Sequence, residues 1–442
     1  MASRDTIYAV SSGAGRAGIA VVRISGPAAT EVVGRMAPPM PKPRLAAFRR
    51  ILHPETGEQL DEAIAIFFAG PRTETGEDML ELQIHGGRAV IGSVLGGLSL
   101  IPGCRPAEPG EFSRRAFEAG KIDLTKAEAL ADLVDAETDA QRRQALSQLG
   151  GALTDLYDGW RQEMISALAL VEAAIDFSDE PDVASDAFEQ ARDVGARLSE
   201  RIKAHLDDGH RGEIVRDGYR IVLAGPPNVG KSSLLNALAR RDAAIVSEEA
   251  GTTRDVIEVR LDLGGVPVIV SDTAGLREPA GPIEREGIRR TLQTVRGADL
   301  MLWLMDARMP ARDLPPELDS TPILRVLNKA DLGLANVLGP GDIAVSALTG
   351  EGLTELTKIL AETAKARIET RAGSPALTQA RHRSHLEAAL RSLEAFMTGP
   401  GSDAELRAED LRQAAASLGR ITGRVDAEDV LGAIFGRFCV GK

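Results

Sequence analysis

Cysteine is nearly absent from the 442-residue chain, which holds only Cys104 and Cys439. That count excludes a disulfide framework, zinc fingers and Cys-ligated clusters, and it fits a reducing cytoplasm. Aromatics are scarce at 3%, with three Tyr and two Trp, and they are not clustered. A base-stacking platform for nucleic acid needs them together. Positive charge is also in deficit. Lys and Arg number 52 against 65 Asp and Glu, a formal net charge of −13, whereas a chain that grips nucleic acid through many phosphates is usually basic. No apolar run approaches the ~20 residues that span a bilayer. The start, Met1-Ala2-Ser3-Arg4-Asp5, has no apolar segment behind it, so neither a membrane span nor a secretory signal is expected and the cytoplasm is the expected location. The remainder, 43% hydrophobic and 26% charged, is ordinary globular composition, and the length suggests about three domains.

Residues 1–119 read as mixed α/β. Strand-like segments run over 19–24, 63–68 and 79–84, and a helix should follow His85-Gly86-Gly87. From about 120 the pattern becomes helical. Thr125-x-x-Glu128 has the form of a capping box, and residues 126–149 carry few breakers. Leu153, Leu156, Trp160, Met164, Leu168, Val171 and Ile175 then recur in steps of three and four, one apolar helix stripe of the kind that packs in a bundle. A further helix is expected over about 184–208. Strands and helices alternate over 216–373, which predicts a parallel sheet with crossover helices. Residues 374–442 return to helix. The reading is therefore an α/β unit inserted into one helical domain, with halves at 120–215 and 374–442.

The inserted unit carries its chemistry in loops. The short apolar strand Arg220–Ala224 runs into Gly225-Pro-Pro-Asn228-Val229-Gly230-Lys231-Ser232-Ser233, a phosphate-binding loop in its strand–loop–helix context. Its glycines let backbone N–H groups converge on phosphate oxygens, and the helix N-terminus adds a favourable dipole. Lys231 is placed to reach the β- and γ-phosphates, and the Ser232 hydroxyl to coordinate Mg²⁺. Gly251-Thr252-Thr253-Arg254-Asp255 stands where a switch loop supplies a Thr to the metal. Asp272-Thr273-Ala274-Gly275 follows, its Asp for the metal's water shell and its Gly N–H for the γ-phosphate. In Asn328-Lys329-Ala330-Asp331 the last carboxylate accepts from guanine N1 and the exocyclic amine, a donor pair that adenine lacks. Ser346-Ala347-Leu348 offers a backbone N–H to guanine O6. Five elements in this order predict a GTP-binding domain. Leu276 occupies the place where Ras-type GTPases carry a water-orienting Gln. Glu284 is a candidate to act through a second water, and no arginine finger is identifiable: Arg254, Arg277 and Arg285 are all nearby, and the sequence does not choose among them.

The chain resembles the tRNA-modification GTPase family MnmE, also called TrmE. The resemblance rests on blocks outside the nucleotide motifs: Asp5–Ala9, Gly15–Ile19 with Arg23–Gly26, Gly76–Asp78, Glu81–Gln83, His85–Gly87, Pro109–Ser113, Lys121–Leu124, Ala173–Phe177 and the ending Phe438-Cys439-Val440-Gly441-Lys442. It implies an α/β P-loop GTPase domain inserted into an all-α helical domain, preceded by an N-terminal α/β domain like tetrahydrofolate-binding domains that also dimerises. It implies that the G domains pair during hydrolysis and that a potassium ion replaces the arginine finger. By motif match that ion is held by Asn228, Ser247, Glu249 and Thr252, with Ser247 also on the nucleotide. Thr253 matches the Mg²⁺ ligand and Glu284 the catalytic Glu. Arg23, Glu81, Lys121 and Lys442 match a site for 5-formyl- or methylene-tetrahydrofolate, and Cys439 a residue with a possible redox role. The implied function is GTP hydrolysis in a homodimer. With MnmG, a partner that uses FAD and NADH, it forms a heterotetramer or larger complex that builds the 5-aminomethyl or 5-carboxymethylaminomethyl group on wobble uridine. A GTP-dependent ribosome-assembly switch and a regulatory structural dimer are the alternatives.

Overall fold

The computed structural model describes residues 5–13, 15–176, 181–208, 210–240, 258–272, 297–309, 321–334, 338–368, 375–399, 403–425, 428–436 and 438–441. The chain divides into two compact units, Met1–Ala131 with Gly419–Lys442, and Asp132–Leu418.

The first unit opens with β1 (Thr6–Val10) and β2 (Ala17–Ser25), then α1 (Ala29–Met36), β3 (Ala47–Leu52), β4 (Gln59–Phe68), β5 (Met79–Gly86), α2 (Arg88–Ser99), β6 (Cys104–Pro106), α3 (Glu111–Glu118) and α4 (Leu124–Val134). The three expected strand segments lie inside β2, β4 and β5, and α2 follows His85-Gly86-Gly87 as expected. The sheet order is β3-β4-β5-β2-β1-β6; only β1 and β6 pair in parallel. Period-2 alternation explains which face is buried. Leu80, Leu82 and Ile84 of β5 are fully buried with Val22 and Ile24 of β2, under α1 and α2, while Glu81, Gln83, Arg23 and Val21 face the other way. Thr125 lies inside α4, one residue past its start, and not at the cap position. Instead the Asp123 carboxylate accepts from the Lys126 amide at 2.9 Å and from the Thr125 hydroxyl at 2.6 Å, so Asp123 caps α4. Asp123, two residues earlier and just outside the helix, reaches the first-turn amide that Thr125, already inside the helix, cannot.

The second unit begins with helices. α5 (Asp139–Leu149) opens on a true capping box between Thr138 and Gln141, which the sequence reading missed. α6 (Ala152–Asp176) and α7 (Pro181–Leu206) pack side by side. The buried stripe of α6 is Leu153, Tyr157, Trp160, Met164, Ala167, Val171 and Ala174. It keeps four of the expected positions, while Leu156, Leu168 and Ile175 are only half-buried. A stripe chosen by hydropathy alone passes over Tyr157, whose hydroxyl is satisfied at 3.1 Å by His205 Nε2.

After α8 (Arg211–Asp217) comes the sheet: β7 (Tyr219–Ala224), α9 (Lys231–Ala239), β8 (Glu258–Asp262), β9 (Pro267–Asp272), β10 (Leu300–Asp306), β11 (Ile323–Asn328), β12 (Ile343–Val345) and α10 (Leu353–Ile368). The order is β12-β11-β10-β7-β9-β8, parallel except for β8. α11 (Ala380–Thr398) then packs on α7. Helix pairing across the α/β segment is what an insertion requires: the helical domain closes with elements from both sides of it. The Gln148 and Thr378 side chains hydrogen bond across the same divide at 3.1 Å.

α12 (Ala404–Thr422) leads back to the first unit, and α13 (Glu428–Phe435) lies there. Leu431, Ile434, Phe435 and Phe438 form one buried cluster with Leu124 and Ala127, with Phe117 against it. Val440 pairs with Pro109, and the Ser11 hydroxyl donates to the Gly441 carbonyl at 2.8 Å. By contacts, therefore, Gly419–Lys442 groups with the N-terminal residues, whereas the sequence placed all of 374–442 in the helical domain. Apolar side chains of the tail find their partners on α3 and α4. Among the described residues no helix is long and apolar enough to cross a membrane.

Candidate functional site

Parallel strands deliver their C-terminal ends to one edge of the sheet, where ligands of such folds bind. β7 ends at Ala224, and Gly225 turns the chain at φ 148°, where a Cβ would press into the Leu304 carbonyl oxygen. Only glycine fits there. Gly230 caps α9 at φ 95°, and a Cβ on it would collide with the Asn328 amide. Between them Asn228 also takes a left-handed φ of 62°. The Lys231 ammonium donates to the carbonyls of Gly225 at 2.9 Å and Pro226 at 3.0 Å, so it lies across the loop, with Ser232 and Ser233 exposed beside it.

The Ser232 hydroxyl donates to Asp272 Oδ2 at 2.6 Å, and Asp272, at the end of β9, is 1% exposed. A hydroxyl against a buried carboxylate is oxygen-donor chemistry that fits Mg²⁺, with the serine oxygen as ligand and the carboxylate behind a bound water. A Mg²⁺ held there would neutralise charge on the β- and γ-phosphates.

Asn328 and Lys329 tie the loops together. Asn328 is buried; its amide nitrogen donates to the Val229 carbonyl at 2.8 Å and its oxygen accepts from the Ala347 amide at 3.1 Å. Its work is thus to hold the first and last motifs in place. Lys329, at φ 67°, donates to the Asn228 carbonyl at 2.8 Å and to Asp306 Oδ2 at 2.9 Å. Asp331 lies exposed in the short 3₁₀ turn Ala330–Leu332. The Ser346 side chain is buried and accepts from the Thr349 amide at 3.1 Å, while Leu348 is 88% exposed. Residues 225–233, 272, 328–331 and 346–348 therefore come to one sheet edge. Ser247, Glu249, Thr252, Thr253, Thr273, Ala274, Gly275 and Glu284 lie outside the described residues, as do Arg254, Arg277, Arg285 and Lys442.

Asp306 is the residue the sequence reading missed. It closes β10, whose other residues, Leu300–Met305, are all apolar and buried. A lone carboxylate ending an apolar strand is the signal that points to it. Hydrogen bonds from Arg308, outweighing burial and joined by one from Lys329, hold its carboxyl far below the usual carboxylate range.

In the first unit, strand register sets Arg23 opposite Glu81. The Arg23 guanidinium meets Glu81 at 3.1 Å and Glu74 at 2.8 Å, above the Phe112 ring. The Lys121 ammonium donates to the Pro71 carbonyl at 2.6 Å. Pro71 and Glu74 belong to the β4–β5 loop, so that loop gathers Arg23, Glu81 and Lys121. Two cations with a carboxylate fit a ligand that bears both carboxylates and hydrogen-bond donors, as a folate does. Cys439 is exposed, and Cys104 is half-buried. Burial, then Glu31, pushes the Cys104 thiol up to about 11, so it stays protonated and unreactive near neutrality. A cleft of about 590 Å³ elsewhere in the second unit is lined by Asp132, Gln141, Arg216, Arg220, Glu258 and Arg260 among others, none of them a motif residue.

Two family models match, the GTP-binding protein TrmE N-terminus over residues 6–121 and the MnmE helical domain over residues 124–439. The chain is 54% identical over 445 residues to the tRNA modification GTPase MnmE of Parvibaculum lavamentivorans, covering 99% of this chain and 100% of that one. It is 50% identical to the protein of that name from Methylobacterium radiotolerans, with both chains fully covered. The chain belongs to the MnmE family of tRNA-modification GTPases. It is accordingly a GTPase, a hydrolase acting on GTP, and its fold is the expected one of TrmE-type N-terminal domain, helical domain and P-loop domain. Among solved structures, the FeoB G-domain from Methanococcus jannaschii aligns with 28% identity and a TM-score of 0.25, covering 33% of this chain and 98% of that one. An Aquifex aeolicus Era variant bound to GDP.AlF4⁻ aligns with 20% identity and a TM-score of 0.27, covering 50% and 99%. TM-scores this low say nothing about function.

Proposed function

We propose that the chain is the GTP-hydrolysing half of a cytoplasmic tRNA-modifying complex. With the FAD-dependent partner MnmG it forms the 5-aminomethyl or 5-carboxymethylaminomethyl group on wobble uridine, using a one-carbon unit from tetrahydrofolate and nitrogen from ammonium or glycine. The observation that carries this reading is the linked set of phosphate and guanine loops at one sheet edge, in a chain matched to the family at both ends.

The working division is an N-terminal folate-binding and dimerising domain over 1–119, a helical domain over 120–215 and 374–442, and a G domain over 216–373. In the G domain, Lys231 and the loop amides hold the phosphates, Ser232 and Thr253 provide the Mg²⁺ oxygens, and Asp331 selects guanine. Asn228, Ser247, Glu249 and Thr252 would hold potassium, whose charge would offset that developing between the β- and γ-phosphates. Glu284 orients the attacking water through a second water. Arg23, Glu81, Lys121 and Lys442 bind the folate. Two chains pair through their N-terminal domains, and their G domains close during hydrolysis.

The net charge of −13 assigns most of the tRNA grip to the partner. Tight binding of tRNA by this chain alone at ~150 mM salt would contradict that division. GTP hydrolysis should run far faster in potassium than in sodium; equal rates remove the potassium mechanism. Mass spectrometry of tRNA nucleosides after gene deletion should show the wobble modification lost, and unchanged uridines would overturn the function itself.

A further inference from the structure

We propose that Asp306 is a positioning residue of the nucleotide site, which acts through Lys329 to set the backbone of the phosphate loop and so the affinity for guanine nucleotides. The inference rests on reading residues 225–232 and 328–331 as the GTP site.

β10 and β11 run in parallel with Asp306 beside Asn328, so the carboxylate stands next to the guanine motif without belonging to it. Asp306 is 7% exposed. Oδ1 accepts from the Arg308 amide at 3.1 Å and from Arg308 Nε at 3.0 Å; Oδ2 accepts from the other end of that guanidinium at 2.8 Å and from Lys329 Nζ at 2.9 Å. Arg308 is thus a fork that fixes the carboxylate, and the fixed carboxylate aims the ammonium. The same Nζ donates to the Asn228 carbonyl. The result is a chain of contacts from Arg308 through Asp306 and Lys329 to Asn228, from the end of β10 into the phosphate loop.

Local bonding alone does not account for it. An Asx turn closing β10 needs only the Arg308 amide; the bond to Lys329 is additional. Lys329 and Asn228 both sit at positive φ, a region that is unfavourable for a non-glycine residue and persists where surrounding bonds over-determine it. For Lys329 those bonds are to Asp306 and Asn228. Bonds in which donor and acceptor are both charged are the stronger ones, and here the shared acceptor, Asp306, is buried.

The test is equilibrium binding of fluorescent GDP to the full-length chain. Asp306→Asn keeps the shape and removes the charge. It should weaken GDP about tenfold, or 1.4 kcal/mol, and raise KM for GTP more than it lowers kcat. In a Lys329→Met background the same substitution should cost nothing further, because the acceptor of its effect is gone. Should Asp306→Asn fail to fold, the exposed fork is removed instead, and Arg308→Ala should weaken GDP about threefold. An affinity within twofold of wild type in the variant that folds overturns the proposal. So does an equal loss in both backgrounds, which marks a merely structural role. A wild-type chain that binds no guanine nucleotide overturns the site reading itself; binding by wild type with no loss in the variants overturns the relay alone.

Discussion

The two sheets of this molecule solve different problems. The sheet of the second unit is parallel but for β8, and its central strands are buried along nearly their whole length: every residue of β10 is buried, and β7 exposes only Arg220. Its faces are spent on packing, so its chemistry is confined to the loops at the strand ends. The sheet of the first unit is antiparallel but for β6, and one face stays partly open. There, Arg23, Glu81 and Gln83 sit in mid-strand. The nucleotide motifs of the second unit are therefore short contiguous runs, whereas the folate site proposed for the first would be assembled from single residues on strands far apart in sequence, Arg23 on β2 and Glu81 on β5.

The sharpest way to separate the two is Lys231→Ala. It removes the ammonium from the phosphate loop and should reduce GTP turnover roughly a thousandfold, or about 4 kcal/mol, in a hydrolysis assay. Folding of the first unit should be untouched. Residual turnover within tenfold of wild type would break the claim that the loop carries the chemistry.

Acid unfolding should distinguish the units next. Both tryptophans, Trp160 and Trp303, lie in the second unit, so fluorescence reports that unit, and hydrogen exchange of the amides in β1–β5 reports the first. In the second unit, burial, with His382, Arg383 and Arg211 adding and Asp208 opposing, brings His205 down from 6.5 to about 4. Below pH 6.5 the unfolded chain binds a proton there that the native chain refuses. Stability on this account is complete above pH 6.5 and falls as pH drops toward about 4, by roughly 3 kcal/mol. In the first unit, burial would raise Glu111, but bonds from Arg105, the Glu108 amide and Arg115 outweigh it and bring it down from 4.5 to about 2. Its contribution is complete above pH 4.5 and fades toward pH 2. Urea midpoints followed by fluorescence should decline from pH 6.5, and those followed by hydrogen exchange in the first unit should hold until about 4.5. Coincident declines would erase the contrast.

The smallest effect concerns the open face. Arg23 and Glu81 each keep about a fifth of the side chain exposed, and pairs of that kind contribute under about 1 kcal/mol. Arg23→Gln should shift the urea midpoint little while weakening folate binding by calorimetry. A large stability loss with unchanged folate binding would make the pair structural.

Most of the nucleotide site was legible in the sequence because each loop is a local solution to a local problem. Gly225 and Gly230 are glycines on account of their φ and of the atoms that a Cβ would strike. Asp306 was missed although a lone carboxylate ends its apolar strand, since its partner Lys329 follows the next strand and only parallel pairing brings them together. Thr125 was mistaken for a cap because its pattern fits one, while Asp123, two residues earlier, reaches the free amides first. Tyr157 was left off the stripe because its burial depends on His205 of another helix. The tail 419–442 was grouped with the helical domain on composition, which says nothing of the contacts its apolar residues make with Phe117 and Leu124.

By itself, the sequence determined the presence of the P-loop fold, the order of the nucleotide motifs and the family, because these depend on residues that act with near neighbours and on local backbone geometry. Only the tertiary structure decided that Arg23 faces Glu81, that Lys329 answers to Asp306 and that the chain's last residues return to its first strands. Strand register and long-range apolar burial set those contacts, and neither is a property of any single segment.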